Sequence, residues 1–243
     1  MKRHKNRIFL GLAIATTLCA IALAFVVVPH VRDLRAFRRE MAALPNISPF
    51  DAYWQQINPH YVGWLTIDGT NINFPVVRAY DNTRYLTTTF FGEANIVGAI
   101  FMDYRNTYLS APHIIIYGHE VHDEFQNPLM FGSLYRFLDE DFLAANNSII
   151  FMADDTMHEF EIFSARQTDI FDPAYQLNFT AYGEFARFLE RNGAPAYATQ
   201  IITLSTCVGT YYYKRMIVQG SLIHALPVTT IAGEDGGWEI VRP

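Results

Sequence analysis

Cysteine is almost missing from these 243 residues, which hold only two. Cys19 lies in an apolar run near the N-terminus and Cys207 lies far outside it, so no intrachain disulfide is expected and a disulfide-stapled scaffold is excluded. A basic excess is missing as well. Eighteen Lys and Arg stand against 24 Asp and Glu, a net charge of −6. A nucleic-acid binder usually shows a basic face, so nucleic acid is not an expected partner. No Gly-rich phosphate loop, internal repeat or low-complexity tract occurs. Metal-ligand spacing is absent too. His119-Glu120-Val121-His122 sets two histidines three apart beside a strand end, whereas the zincin pattern needs them four apart on a helix. The remaining histidines are scattered, and neither a metal nor a cofactor is expected.

What is present is apolar and aromatic. Hydrophobic residues make up 51% of the chain and aromatics 15%, which is too much apolar surface for a disordered chain. Charge is missing from Ile8 to Val28. At about 1.5 Å rise per residue that run spans a hydrocarbon core of roughly 30 Å. A cleaved signal peptide is the competing reading, but its apolar region is shorter and is followed by small residues, whereas Val26-Val27-Val28-Pro29-His30 follows here. The run is read as an uncleaved anchor. Lys2, Arg3, Lys5 and Arg7 before it nearly balance Arg32, Arg35, Arg38 and Arg39 after it, so charge alone does not orient it.

The expected organisation is a head at 1–7, an anchor at 8–28, helices within 29–60, a barrel at 61–226 and a loosely held Gly-rich tail at 227–243. Val31 to Leu44 has helical spacing and Pro45 stops it. A second short helix runs to Gln56, with Ser48 as N-cap and Pro49 at its first position. From Gly63 the period changes to that of strands. Eight runs are read as strands: 64–67, 72–77, 97–102, 114–117, 148–152, 157–165, 201–206 and 214–223. Asp68 to Asn71 and Ala153 to Thr156 read as tight hairpin turns. Helices are expected at 129–143 and 180–191, and the acidic run Asp139-Glu140-Asp141 reads as a solvated turn. The fold class is mainly β with helical additions, a small barrel or sandwich of about eight strands.

Three residues at strand ends carry the candidate chemistry. Ile201 to Thr206 delivers Cys207 at its end, Ile114 to Gly118 delivers His119, and Arg215 opens Met216-Ile217-Val218. A thiol is a poor nucleophile until it loses its proton, which a neighbouring cation favours. An imidazole can protonate a leaving amine. A guanidinium cannot serve as an acid or base, but its fork of donors suits a carbonyl or a developing oxyanion. The set therefore divides into nucleophile, acid/base and electrostatic clamp. Each residue also has a plain structural reading: a buried cysteine, a loop-capping histidine and a solvated edge arginine.

Thr203-Leu204-Ser205-Thr206-Cys207, Tyr117-Gly118-His119 and Arg215-Met216-Ile217-Val218-Gln219-Gly220 together resemble the sortases. Gly98 to Asn106, Phe131-Gly132-Ser133-Leu134, the two N-terminal helices and the helix before the nucleophile strand are similar to class B of that family. The resemblance covers roughly residues 31 to 224. It implies an eight-stranded barrel on a type II membrane anchor, with the barrel outside the cell. It further implies a two-step transpeptidation. Cys207 cleaves a sorting signal after Thr and holds the acyl group as a thioester. An amine of peptidoglycan precursor, or of a pilin lysine, then releases it. Partners would be sorting-signal-bearing surface proteins and that amine. The Val208 backbone N–H would be a second oxyanion donor. Ser205, on the same strand face as Cys207, would line the substrate groove. Some class B members carry an acid soon after the cysteine; Val208-Gly209-Thr210 has none, so no carboxylate-supported triad is expected.

Overall fold

The structure is a computed structural model describing residues 2–42, 51–106, 109–209, 211–232 and 238–241. Contacts divide the chain into two compact units, 1–43 and 44–243. The first is the helix α1 (Lys2–Ala42). Its window of mean hydropathy 1.7 leaves Leu23, Phe25 and Val26 exposed, and by length and composition it can cross a membrane. The anchor run and the helix expected from Val31 are one element here, because α1 continues through Pro29. A proline removes one backbone donor, a local cost that a long helix absorbs from its many remaining bonds. Leu44, Pro45, Ser48 and Pro49 lie outside the described residues, so the stop and cap read there do too.

The second unit begins with α2 (Asp51–Ile57). Trp54 of α2 is fully buried against Tyr61, Trp64 and Phe90, with ring centroids 5.0 Å apart for Trp54 and Trp64. There follow β1 (Tyr61–Thr66), β2 (Asn73–Val77), β3 (Ile100–Met102), β4 (His113–Tyr117), β5 (Glu120–His122) and β6 (Pro128–Met130). After them come α3 (Glu140–Ala145), β7 (Ser148–Ala153), β8 (Thr156–Asp169), α4 (Glu184–Asn192), β9 (Ile201–Val208) and β10 (Tyr211–Pro227). Finally β11 (Thr229–Ala232) pairs with β12 (Trp238–Val241).

Eight strands close a barrel in the order β1-β2-β3-β4-β9-β10-β8-β7. All eight correspond to runs read as strands from the sequence. The β2–β3 and β4–β9 pairs are parallel and the rest antiparallel. Ile114, Ile115 and Ile116 of β4 and Ile201, Ile202 and Leu204 of β9 are all essentially without exposure, as expected of central strands covered on both faces. The turn between β7 and β8 has Asp154 and Asp155 at φ 50° and 53°, the left-handed pair that a two-residue hairpin requires.

Three local expectations change. The helix expected over 129–143 is β6, a 3-10 helix (Phe131–Leu138) and α3. Asp139 divides the two helices: its backbone is extended and its side chain accepts from the Phe142 N–H. It is therefore the N-cap of α3, with Glu140 and Asp141 in the favourable first turn, rather than part of a solvated turn. The helix expected from Thr180 starts at Glu184, whose carboxylate instead accepts from the Thr180 and Ala181 N–H groups. The tail contains the β11–β12 hairpin, a pairing that a Gly-rich composition hides; Gly233, Gly236 and Gly237 lie outside the described residues.

Candidate active site

Parallel pairing of β4 with β9 brings the first two residues together. Tyr117 is level with Ser205, and the Gly118 N–H donates to the Ser205 carbonyl at 3.2 Å. His119 thus leaves β4 beside the end of β9 where Cys207 sits. Gly118 permits this exit by close approach, since a Cβ there would lie 2.8 Å from the Phe131 ring. Antiparallel pairing of β9 with β10 supplies the third residue, because Arg215 is the direct cross-strand partner of Cys207. The next paired positions are Val208 and Tyr211, so residues 212–214 have no counterpart on β9 and β10 bulges there. The bulge frees the carbonyls of Tyr212 and Lys214, and each accepts from Arg215 Nη1 at 2.8 Å. That fixes the guanidinium while leaving its other donors for a ligand.

Cys207, His119, Arg215 and Ser205 line one cavity of about 200 Å³, together with Asn82, Leu86, Phe101, Tyr117, Gly118 and Thr206. Cys207 is half-buried. His119 Nε2 lies 2.8 Å from the Leu86 carbonyl. A carbonyl can only accept, so Nε2 carries a hydrogen and Nδ1 is the nitrogen free to exchange a proton. Leu86 reaches this position through Gly98. At φ 63° a Cβ on Gly98 would stand 2.3 Å from the Tyr85 carbonyl.

Three further groups shape the site: Tyr175, Glu120 and Tyr135. Ser205 Oγ is 2.7 Å from the Tyr175 hydroxyl, and burial pushes Tyr175 up to about 12, so it stays protonated. The turn after Cys207 lacks an acid of its own, but Glu120, next to His119, accepts from the Gly209 N–H at 2.6 Å. Tyr135 donates to the Cys207 carbonyl at 3.3 Å. Thr210 lies outside the described residues. Sequence reading does not single out Asn82, Leu86 or Tyr175, and it meets Glu120 only inside the rejected metal pattern. Tyr117 enters only within the Tyr117-Gly118-His119 segment that carries the resemblance.

Tyr175 is held by a buried polar network. His113 has no exposure, and its Nδ1–H donates to the Gln176 carbonyl at 2.7 Å while Nε2 accepts from the Thr203 hydroxyl at 2.8 Å. Gln219 links Thr203 to Arg166, which reaches Asp172 and Asn192. Burial drives His113 down to about 4, against smaller opposing effects from the Gln176 bond and Asp103 and a further lowering by Arg105. The folded state therefore holds it neutral, while the unfolded chain protonates near 6.5. Its contribution is complete above 6.5 and is lost as pH falls toward 4, at about 1.4 kcal/mol per pH unit. Thermal midpoints measured across that range should fall more steeply for the parent than for His113→Leu. Parallel slopes would show that His113 is not the group responsible; His60 and His158, also lowered by burial, titrate in both chains.

With this geometry established, known proteins supply the comparison. The sortase-domain family profile matches residues 65–223. Sortase B of Listeria monocytogenes is 35% identical over 182 residues, covering 70% of this chain and 72% of the relative. Sortase B of Staphylococcus aureus is 30% identical over 181 residues, with the same coverage. Among solved structures, a sortase B from Bacillus anthracis superposes with a TM-score of 0.68 at 32% identity, over 79% of this chain and 98% of that one. A Staphylococcus aureus sortase B–substrate complex gives 0.64 at 27% identity, over 79% and 92%. Family profile, curated relatives and barrel architecture agree, and the chain belongs to the sortase family, class B, as a cysteine transpeptidase of that type.

Proposed function

We propose that Cys207, His119 and Arg215 carry a two-step acyl transfer that joins a sorting-signal-bearing protein to an amine. The observation that carries this reading is their convergence on one cavity, with Arg215 directly across the ladder from Cys207. In the first step the Cys207 sulfur, its proton passed to His119 Nδ1, attacks the carbonyl carbon of the signal's threonine. The oxyanion takes hydrogen bonds from Arg215 and the Val208 backbone N–H. Collapse breaks the peptide bond, and His119 gives a proton to the departing amine through Nδ1. In the second step an amine attacks the thioester, His119 Nδ1 accepts its proton, and the Cys207 thiolate leaves. Ser205, held by the Tyr175 hydroxyl, lines the substrate groove.

The signals taken by class B relatives, of Asn-Pro-x-Thr or Pro-x-Thr-Gly type, are the substrates to screen, with an amine of peptidoglycan precursor or a pilin lysine as acceptor. Full-length protein in detergent is incubated with such peptides, with and without the amine. A new amide product in the presence of amine supports transpeptidation. Hydrolysis alone in every reaction makes the protein a thiol hydrolase instead. Residues 8–28 span the membrane, with 1–7 in the cytoplasm and the 61–226 barrel outside. Protease added to intact protoplasts should remove the barrel, and full protection would reverse the orientation.

Arg215→Lys is expected to lower kcat/KM by about 100-fold, since a lysine keeps the charge but loses the planar fork. Activity within a few-fold of the parent would remove the oxyanion role from Arg215.

A further inference from the structure

Under one wall of the cavity lies a carboxylate that the acyl transfer does not use. Asp103 follows β3, and its side chain has no exposure. Oδ1 accepts from the Arg105 backbone N–H and Nε, each at 2.9 Å. Oδ2 accepts from Arg105 Nη2 at 2.7 Å, the Tyr117 hydroxyl at 2.9 Å and Asn82 Nδ2 at 3.1 Å. Five donors saturate a carboxylate. Burial alone would oppose its ionisation, but the bonds and charge of Arg105 and the Tyr117 bond outweigh that and hold the carboxyl below its ordinary range. An ionised carboxylate accepts at every position, which is what this ring of donors requires.

Two of those donors, Tyr117 and Asn82, line the cavity beside Cys207, His119 and Arg215. The Tyr117 hydrogen is committed to Asp103, so toward any other partner the hydroxyl can offer only lone pairs. Asn82 is fixed at both ends: Nδ2 donates to Asp103 and Oδ1 accepts from the Tyr104 N–H at 3.0 Å. Its amide cannot turn over, and it retains a second N–H on Nδ2. These two lining residues can therefore offer a peptide unit one acceptor and one donor, the complement of its N–H and C=O. We propose that Asp103 is a positioning residue for the substrate peptide, acting through Tyr117 and Asn82 and leaving the thiol chemistry untouched. This rests on the Cys207 acyl-transfer reading and adds to it what orients the donor peptide.

An asparagine at 103 would turn an amide hydrogen toward a ring of donors and release both wall residues. The test compares parent and Asp103→Asn, full-length in detergent, by two readouts: steady-state cleavage of a sorting-signal peptide, and alkylation of Cys207 by iodoacetamide across pH. For Asp103→Asn, KM should rise about 10-fold or more with kcat within about 3-fold. The alkylation rate and its pH profile, which need no peptide, should stay within about 2-fold of the parent. A folded variant with unchanged KM, or one whose alkylation falls together with turnover, would overturn the proposal. Should Asp103→Asn not fold, Tyr117→Phe decides, because it removes one donor and leaves the Asp103–Arg105 pair whole. A KM raised about 3-fold or more with unchanged alkylation supports the role, and an unchanged KM removes it. Parental turnover of the peptide through Cys207 checks the underlying reading separately. A parent that turns over normally beside a silent Asp103→Asn defeats only the assignment of Asp103.

Discussion

Cys207→Ala is expected to abolish peptide cleavage and amide formation together, by at least about 1,000-fold. The thiol is the nucleophile in both steps, so no partial reaction survives its loss. The variant should fold normally. Cys207 is half-buried at the end of β9, and the strand's hold on the barrel comes from buried neighbours such as Ile202 and Leu204. Truncating a small side chain at a cavity edge leaves that packing intact. An unchanged thermal midpoint with lost turnover is the expected pair of results, and it also answers the plain reading of Cys207 as a core residue. A variant that keeps turnover would make Cys207 structural.

His119→Ala is expected to be nearly as damaging, and selectively so. Expelling an amine from a tetrahedral intermediate requires a proton, and general acid catalysis contributes about 100- to 10,000-fold. The Leu86 carbonyl fixes Nε2–H and leaves Nδ1 to deliver that proton. An activated thioester or aryl ester substrate expels its leaving group without a proton. The His119→Ala loss should therefore be largest with the peptide and much smaller for acylation by the activated substrate. Equal losses on both would mean that His119 acts on the thiol or on folding rather than on the leaving group. Stopped-flow acylation with the two substrate types separates these outcomes.

Much of this was legible because the barrel strands are local patterns. Ile114 to Tyr117 and Ile201 to Thr206 are short, apolar and β-branched, and each ends in a residue whose chemistry differs from the run. Their pairing is not a local property. That β4 lies parallel to β9 with Tyr117 level with Ser205 depends on the closed barrel. The resemblance supplied that juxtaposition, and spacing alone left it open. Periodicity misread 129–143, where apolar residues keep helical spacing across a 3-10 helix and an Asp139 cap that only backbone geometry separates. It likewise missed that α1 runs on through Pro29. Backbone groups carry no sequence signal, so the Leu86 carbonyl that holds His119 and the Gly209 N–H that engages Glu120 could not be foreseen. Asp103 stood inside a recognised stretch, but its work lies in the donors that Asn82 and Tyr117 bring from distant segments.

The most direct test of the account is the mass of the enzyme during turnover. Full-length protein mixed with a sorting-signal peptide and quenched in acid should gain the mass of the peptide's acyl fragment, ending at threonine. Proteolysis should place that adduct on the fragment containing Cys207, and added amine should remove it faster than water does. An adduct on another residue, or none while the peptide is cleaved, would contradict the central claim that Cys207 carries the acyl group.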